Sequence, residues 1–139
     1  MRADPSLARA ANEEVLRYEP PVQVTLPRVA LVDTKIGGVE LEAGEQVCAF
    51  LSGAARDPQR YARPDELDIT RTDGGSLALA FGIHSCIGAA MARMEGEIAL
   101  GSFVTRFAHV ELVDHEPELD EPGLPSTRGF KHIRVEVRC

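Results

Sequence analysis

A cysteine that lies between two glycines, directly before a long helical stretch, constrains this chain more than any other feature. Residues 79–88 read LAFGIHSCIG, and helical apolar spacing follows them to residue 107. The unpaired amides and positive dipole end of that predicted helix would stabilise a thiolate at Cys86. Gly82 and Gly88 permit a close backbone approach on either side of the sulfur. The loop therefore predicts a soft anionic ligand that is presented to a metal.

Upstream, the sequence predicts one more helix and several short strands. Residues 5–18 have helical spacing with Asp4 as a cap, and Pro20 and Pro21 end the helix. Strand patterns occupy residues 22–26, 29–32, 39–41, 46–51, 110–113 and 132–137. We expect the first four to form one small antiparallel sheet. Residues 52–76 have little periodicity, which predicts a long loop with a short helical turn near residues 64–67.

Two apolar stripes are expected to be buried. On the first helix the stripe consists of Leu7, Ala11, Val15 and Tyr18. On the second helix it consists of Ile87, Met91, Met94, Ile98 and Gly101. Cys48 lies within a strand pattern and is predicted to be an inert, buried thiol. These stripes predict where the two helices pack.

Composition excludes several classes of function. A net charge of −7 disfavours binding to nucleic acid or to an anionic membrane surface, which needs a basic face. The three cysteines have no regular spacing, so no disulfide framework is predicted and a reducing cytoplasm is expected. The chain has no apolar run of about 18 residues and no apolar segment near its first residue. Neither a membrane span nor a secretory signal is therefore expected.

The loop resembles the haem-binding loop of the cytochrome P450 family, whose pattern is Phe-x-x-Gly-x-(Arg/His)-x-Cys-x-Gly. Four positions match it without gaps, namely Gly82, His84, Cys86 and Gly88. Leu79 stands where the family pattern has phenylalanine. The resemblance at this loop identifies Cys86 as the axial thiolate ligand of haem iron.

Other family landmarks follow in the same order along the chain. The first helix contains Glu14-Val-Leu-Arg17, which resembles the family's Glu-x-x-Arg signature and places two opposite charges three residues apart. Glu13 and Arg17 offer a competing surface pair at a spacing of four. The segment LPRVAL contains Arg28 at the position that binds a haem propionate in the family. Residues 61–71 resemble the meander, and residues 128–137 resemble the final hairpin.

The resemblance implies a fold and a cofactor. The fold class is α+β for these residues, with two main helices, short antiparallel strands and a long meander loop, within the mainly-α cytochrome P450 fold. Residues 1–139 would be the C-terminal, proximal haem-binding part of one domain. The cofactor would be haem b (iron protoporphyrin IX), with Cys86 as the metal ligand and with Arg28 and His84 on the propionates. Leu79, Gly82 and Gly88 would line the proximal loop, and Glu14 and Arg17 would be structural.

The family also implies an activity, which is monooxygenation of a small organic substrate with dioxygen. Electrons would come from a ferredoxin- or flavin-type partner, and thiolate donation favours O–O cleavage. The distal helix that handles oxygen in the family has no counterpart in these residues. We therefore expect the chain to be inactive alone, either as a truncated fragment or as a non-catalytic haem-binding or accessory protein. Exposed apolar surface would favour homo-oligomers.

Two other classes of site remain open. A zinc site could use Cys48, His84, Cys86 and a further histidine, although the usual C-x-x-C or H-x-x-x-H clustering is missing. Cys86 could also be a nucleophile with His84 as its base. In an extended chain two residues that are two apart face opposite sides, so this base would have to come from elsewhere.

Overall fold

The computed structural model describes residues 1, 3–73, 75–114, 116–120 and 126–139. Its helices are α1 (Ala8–Tyr18), α2 (Leu51–Ala54) and α3 (Ala89–Arg106), and a 3-10 turn at Pro5–Leu7 precedes α1. The carboxylate of Asp4 accepts the backbone N–H of Ser6 and so caps this turn, as the sequence predicts. α1 and α3 pack against each other. Among the described helices, none has both the length and the apolar character needed to cross a bilayer.

The described residues contain eight short strands in four separate antiparallel pairs. These pairs are β1 (Arg28–Val29) with β4 (Gln46–Val47), β2 (Thr34–Ile36) with β3 (Val39–Leu41), β5 (His109–Leu112) with β8 (Val135–Arg138), and β6 (Leu119–Asp120) with β7 (Gly129–Phe130). Gly37 and Gly38 turn the chain between β2 and β3 with φ angles of +58° and +89°. This left-handed region favours glycine in tight hairpins.

The predicted α+β class is confirmed, and α3 lies within one residue of its predicted bounds at each end. The prediction of one small sheet is wrong. Residues 22–26 pair with two different segments, through isolated bridges from Val22 to Thr127 and from Val24 to Phe50. The strand predicted at residues 46–51 covers only Gln46–Val47; Phe50 then bridges to Val24, and Leu51 begins α2. Residues 64–67 form a turn and a bend and contain no helix.

Burial confirms only part of the predicted stripes: on α1 Ala11 is buried as predicted, but Val15 is exposed. The buried residues of α1 are Ala8, Ala11, Asn12, Glu14 and Arg17. Val15 is 41% exposed, because the helix turns its charged residues inward, where they find polar partners. The stripe on α3 is also exposed, with Met91, Met94 and Ile98 between 55% and 60% accessible. Cys48 is exposed, which contradicts the prediction of a buried thiol.

The i,i+3 ion pair that the sequence predicts on α1 is present and buried. Arg17 and Glu14 are 2% and 4% exposed, and two hydrogen bonds of 2.8 Å join the guanidinium to the two carboxylate oxygens. Arg17 also donates to the backbone carbonyls of Ala55, Pro64 and Glu66 at 2.8, 2.8 and 3.0 Å. Planar guanidinium groups suit such forked arrangements. The pair therefore fastens α1 to the long loop that follows α2.

A third charged residue completes this network. Arg71 donates to Glu14 at 3.2 Å and to Asp73 at 3.2 Å, and the backbone N–H of Asp68 donates to Glu14 at 2.9 Å. Burial raises the pKa of Glu14, but hydrogen bonds from Arg17, Asp68 and Arg71 more than offset it, so the pKa lies below its ordinary value. The role of Arg71 could not be predicted from the sequence, because it lies 57 residues from Glu14 along the chain.

Removing the buried cation should strongly destabilise the chain. Arg17→Met leaves the Glu14 carboxylate and three carbonyls without this donor, and we expect a loss of about 3–5 kcal/mol in the free energy of unfolding. Urea unfolding followed by circular dichroism measures it. Arg63→Met is the control, because Arg63 is 64% exposed and its ion pairs lie at the surface. Equal losses in the two variants would contradict a special role for the buried pair.

The network should also make stability depend on pH. The pKa of Glu14 lies below its ordinary value of 4.5 in the folded chain, so the unfolded chain binds more protons as the solution becomes acidic. The stabilising contribution of ionised Glu14 is complete above about pH 5 and is lost as the pH falls through the pKa of Glu14 in the folded chain. We expect the drop in unfolding free energy between about pH 6 and pH 3.5 to be smaller in Glu14→Gln than in the parent. Exposed Glu40→Gln should retain the parental drop; the same drop in all three proteins would count against this assignment.

Candidate functional site

The glycine-flanked loop is closed by its own backbone. The N–H of Cys86 donates to the carbonyl of Leu79 at 2.9 Å, and the N–H of Ser85 donates to that of Gly82 at 3.0 Å. Between these contacts lies a 3-10 turn at Gly82–His84. Gly82 has a φ angle of +69°, a region that side chains other than glycine rarely occupy. The loop is therefore folded back on itself, whereas the sequence reasoning considered an extended segment here.

Backbone hydrogen bonds join this loop to α3. The N–H of Ala89 donates to the carbonyl of Cys86 at 3.1 Å, and the N–H of Ala92 donates to that of Gly88 at 2.9 Å. Gly88 is the N-cap residue, and no side chain caps this end of the helix. The exposed thiol of Cys86 thus lies beside the positive end of α3. Gly88 has an ordinary negative φ, and a Cβ there would lie 3.8 Å from the sulfur, so no close approach requires glycine at this position.

One cavity of about 440 Å³ brings together four of the residues predicted from sequence, which are Arg28, Leu79, His84 and Cys86. Most of its remaining wall is apolar and consists of Val22, Thr25, Leu26, Pro27, Leu51, Ala78 and Ala80. Arg28 reaches the cavity from the first residue of β1, which pairs with Val47 of β4. Gly82 and Gly88 shape the loop and do not line this cavity.

Cys86 also lines a second cavity, of about 680 Å³, that extends along α3. Arg9, Arg93 and Met94 contribute to its wall. The cysteine therefore lies at the boundary between a mostly apolar cavity and one with several charged residues. This position would let its sulfur face a ligand in the first cavity while its backbone stays bound to α3.

One residue on the cavity wall, Ala80, is strained. Ala80 has a φ angle of +57°, and its N–H donates to the carbonyl of Leu77 at 2.8 Å. The left-handed region costs a residue with a Cβ about 1–2 kcal/mol. The tight turn that sets Leu79 opposite Cys86 imposes this conformation, and nothing in the amino acid type of Ala80 signals it.

The two alternative chemistries receive little support from this geometry. Within the described ranges, no group of three or more His, Cys, Asp and Glu side chains could hold a metal ion, as a zinc site built from this chain would require. The turn brings His84 and Cys86 to the same cavity, which corrects the expectation that they face opposite sides. Among the described residues, the hydrogen bonds of Cys86 are made by its backbone. A catalytic cysteine would instead need its thiol within hydrogen-bond reach of a base such as His84.

The same residues fit a haem group. Haem iron needs only one ligand from this side of the porphyrin, and a thiolate at Cys86 is such a ligand. Arg28 and His84 can donate hydrogen bonds to carboxylates, and the other wall residues offer apolar contact. The arrangement thus supplies a soft anionic donor, an apolar surface and two donors for acidic groups in one cavity.

Comparison with known proteins agrees with this chemistry. The family model described as cytochrome P450 matches residues 1–132. The cytochrome P450 CYP199A2 of Rhodopseudomonas palustris is 44% identical over 112 residues, which are 81% of this chain and 27% of that protein. The biotin biosynthesis cytochrome P450 of Bacillus subtilis is 42% identical over 116 residues, which are 84% of this chain and 29% of that protein. The chain thus spans less than a third of the length of either relative.

The fold agrees equally well with a solved structure. P450BioI, in complex with an acyl carrier protein that carries hexadec-9Z-enoic acid, superposes with a TM-score of 0.90 and 38% sequence identity. The match covers 99% of this chain and 35% of that chain. The short strand pairs and the two packed helices are therefore a part of that larger fold.

Proposed function

Since the chain belongs to the cytochrome P450 family, we propose that residues 1–139 form the proximal, C-terminal haem-binding part of the P450 domain. The proposed cofactor is haem b, with Cys86 as the axial thiolate. The observation that carries this proposal is the single cavity shared by Arg28, Leu79, His84 and Cys86. Arg28 reaches the cavity from β1, far along the chain from the loop that contains the other three, and Arg28, His84 and Cys86 together offer the donors that a haem requires.

Each residue has a distinct part in this proposal. The N-terminus of α3 stabilises negative charge on the Cys86 sulfur, because the helix dipole and its amides are positive there. Arg28 and His84 donate hydrogen bonds to the propionates, for which a guanidinium fork is well suited. Leu79 fixes the loop by accepting the Cys86 N–H, and Gly82 supplies the left-handed turn. Gly88 starts the helix, while Glu14 and Arg17 hold α1 in place.

The activity that we propose for this site is the one its relatives' family name implies. A bound haem supplies reductive activation of dioxygen, which the family uses to oxygenate small organic substrates. Electrons would reach it from a ferredoxin- or flavin-type donor. We propose that these 139 residues bind haem but do not oxygenate a substrate by themselves, because the cavity contains the proximal ligand and the family's oxygen-handling distal helix has no counterpart in these residues.

The thiolate assignment predicts a spectroscopic result. The purified chain, loaded with haem, reduced and exposed to carbon monoxide, should show a thiolate-type Soret band. Cys86→Ala should abolish that band, because Cys86 is the one cysteine among the described residues of the cavity wall. Cys48→Ala is the matched control, since Cys48 is an exposed thiol elsewhere and its variant should retain the band.

The outcomes of this measurement are separable. A thiolate-type band that survives in Cys86→Ala and disappears in Cys48→Ala would show that Cys48 is the ligand and would contradict the proposal. A parent chain that binds haem without any thiolate-type band would also contradict it. Bound zinc in the purified protein, removed by Cys86→Ala, would instead favour the zinc alternative.

The chain by itself should not turn over substrate. With haem, a ferredoxin or flavoprotein donor and NADPH, we expect product formation at the level of free haem. The measurement compares the parent chain, Cys86→Ala and free haem under the same conditions. Product that depends on Cys86 and exceeds the free-haem level would show that these residues suffice for oxygenation.

A further inference from the structure

Asn12 of α1 fills a space that faces a glycine of α3. Asn12 is 8% exposed, and its side-chain amide donates to the backbone carbonyl of Arg93 at 3.4 Å. A Cβ placed on Gly96 would lie 2.1 Å from the Asn12 Oδ1 atom and 2.6 Å from its Cγ. Carbon atoms pack at about 3.5–4.0 Å, so the asparagine occupies the volume that any larger residue at position 96 would need.

A charged contact lies beside this one. Glu13 forms an ion pair with Arg93, whose backbone carbonyl is the acceptor for Asn12. Both ion-pair partners are half-buried, at 34% and 42% exposure. Two successive residues of α1 therefore bind Arg93 of α3, whereas Glu14, the next residue, binds Arg17 of its own helix and Arg71 of the long loop. Asn12 and Glu13 are therefore points of contact between α1 and α3.

The part of α3 that contacts Asn12 lies on the same helical face as the residue that binds the Cys86 backbone. Gly96, Arg93 and Ala89 are separated by steps of three and four residues and so lie on one face of α3. The N–H of Ala89 donates to the carbonyl of Cys86, about 10 Å along the helix from Gly96. A helix moves as a nearly rigid element, so a shift at Gly96 would be carried into the loop that presents the sulfur.

We propose that Asn12 is a positioning residue, whose contact with Gly96 sets the distance between α1 and α3 and thereby the place of the Cys86 sulfur at the haem cavity. This inference rests on the proposed haem ligation by Cys86. The sequence alone does not predict a role for Asn12, since a polar residue on an amphipathic helix is expected to face water.

A pair of matched glycine substitutions tests it. Gly96→Ala adds a methyl group that collides with Asn12, whereas Gly101→Ala adds the same group on the same helix. A Cβ at position 101 would lie 3.6 Å from the Ala8 Cβ, which is ordinary contact. Both changes raise helix propensity alike, so a difference between the variants reports the collision. The double variant Asn12→Ala/Gly96→Ala serves as the rescue, because it removes the obstructing amide and the methyl group added at position 96 lies in the volume that the amide leaves, so the two helices keep a filled contact.

The first readout is the fraction of haem-loaded chain that shows the thiolate-type Soret band. We expect Gly96→Ala to lower it by roughly half or more, because displacements near 1 Å disrupt preorganised sites. Gly101→Ala should match the parent, and the double variant should recover most of the loss. The second readout is the urea midpoint of the chain without haem, which should fall in Gly96→Ala and rise again in the double variant.

The outcomes distinguish the inference from the function on which it depends. If the parent shows no thiolate-type band, the proposed ligation fails and the positioning role fails with it. If the parent shows the band and Gly96→Ala ligates like Gly101→Ala, only the positioning role is overturned, even where the urea midpoint falls. Should Gly96→Ala fail to fold, the double variant decides, because its failure to fold or ligate would show that Asn12 is not the obstructing group.

Discussion

The rest of the structure depends on one buried cation. Arg17 is 2% exposed and donates to Glu14 and to three backbone carbonyls of the following loop. Its guanidinium also lies over the ring of Tyr61, 5.3 Å from the centroid, and the Tyr61 hydroxyl donates to the carbonyl of Gly75. An unpaired buried charge would be very unfavourable, so each partner is needed for the others to remain inside. A loop with few apolar residues thereby acquires a fixed shape.

That fixed loop determines how α1 can act on the cavity that Cys86 lines. Once Glu14 and Arg17 face the loop, helical geometry turns Asn12 and Glu13 toward α3. α3 in turn holds Cys86 through its first turn, and Leu79 holds the same residue from the other side. The sulfur is thus placed by polar contacts made some distance from it. This arrangement explains how a site with an exposed thiol can still have a defined geometry.

Local chemistry could be predicted from the sequence, and partners at a distance could not. The unusual backbone at Gly82 and the helix after Cys86 follow from residue type and period. The structure contains both, with a left-handed φ angle at Gly82 and α3 directly after the loop. Arg71 escaped prediction because its contact with Glu14 spans 57 residues. The predicted burial of Met91 and Met94 was wrong, since period alone shows that a face is apolar and does not show what covers it. The strained Ala80 carries no signal in its residue type.

Two adjacent glutamates show most directly why spacing alone was insufficient. Glu13 and Glu14 lie four and three residues before Arg17, and either spacing allows an ion pair on an isolated helix. In the fold Glu14 forms an ion pair with Arg17, and Glu13 forms one with Arg93 on α3. The choice follows burial, because the carboxylate that faces the loop also gains the Asp68 N–H and Arg71, whereas the other remains half-exposed. The competition between two equivalent local pairs is therefore decided by tertiary donors, and the glutamate released by that decision becomes available to join the helices beside Asn12.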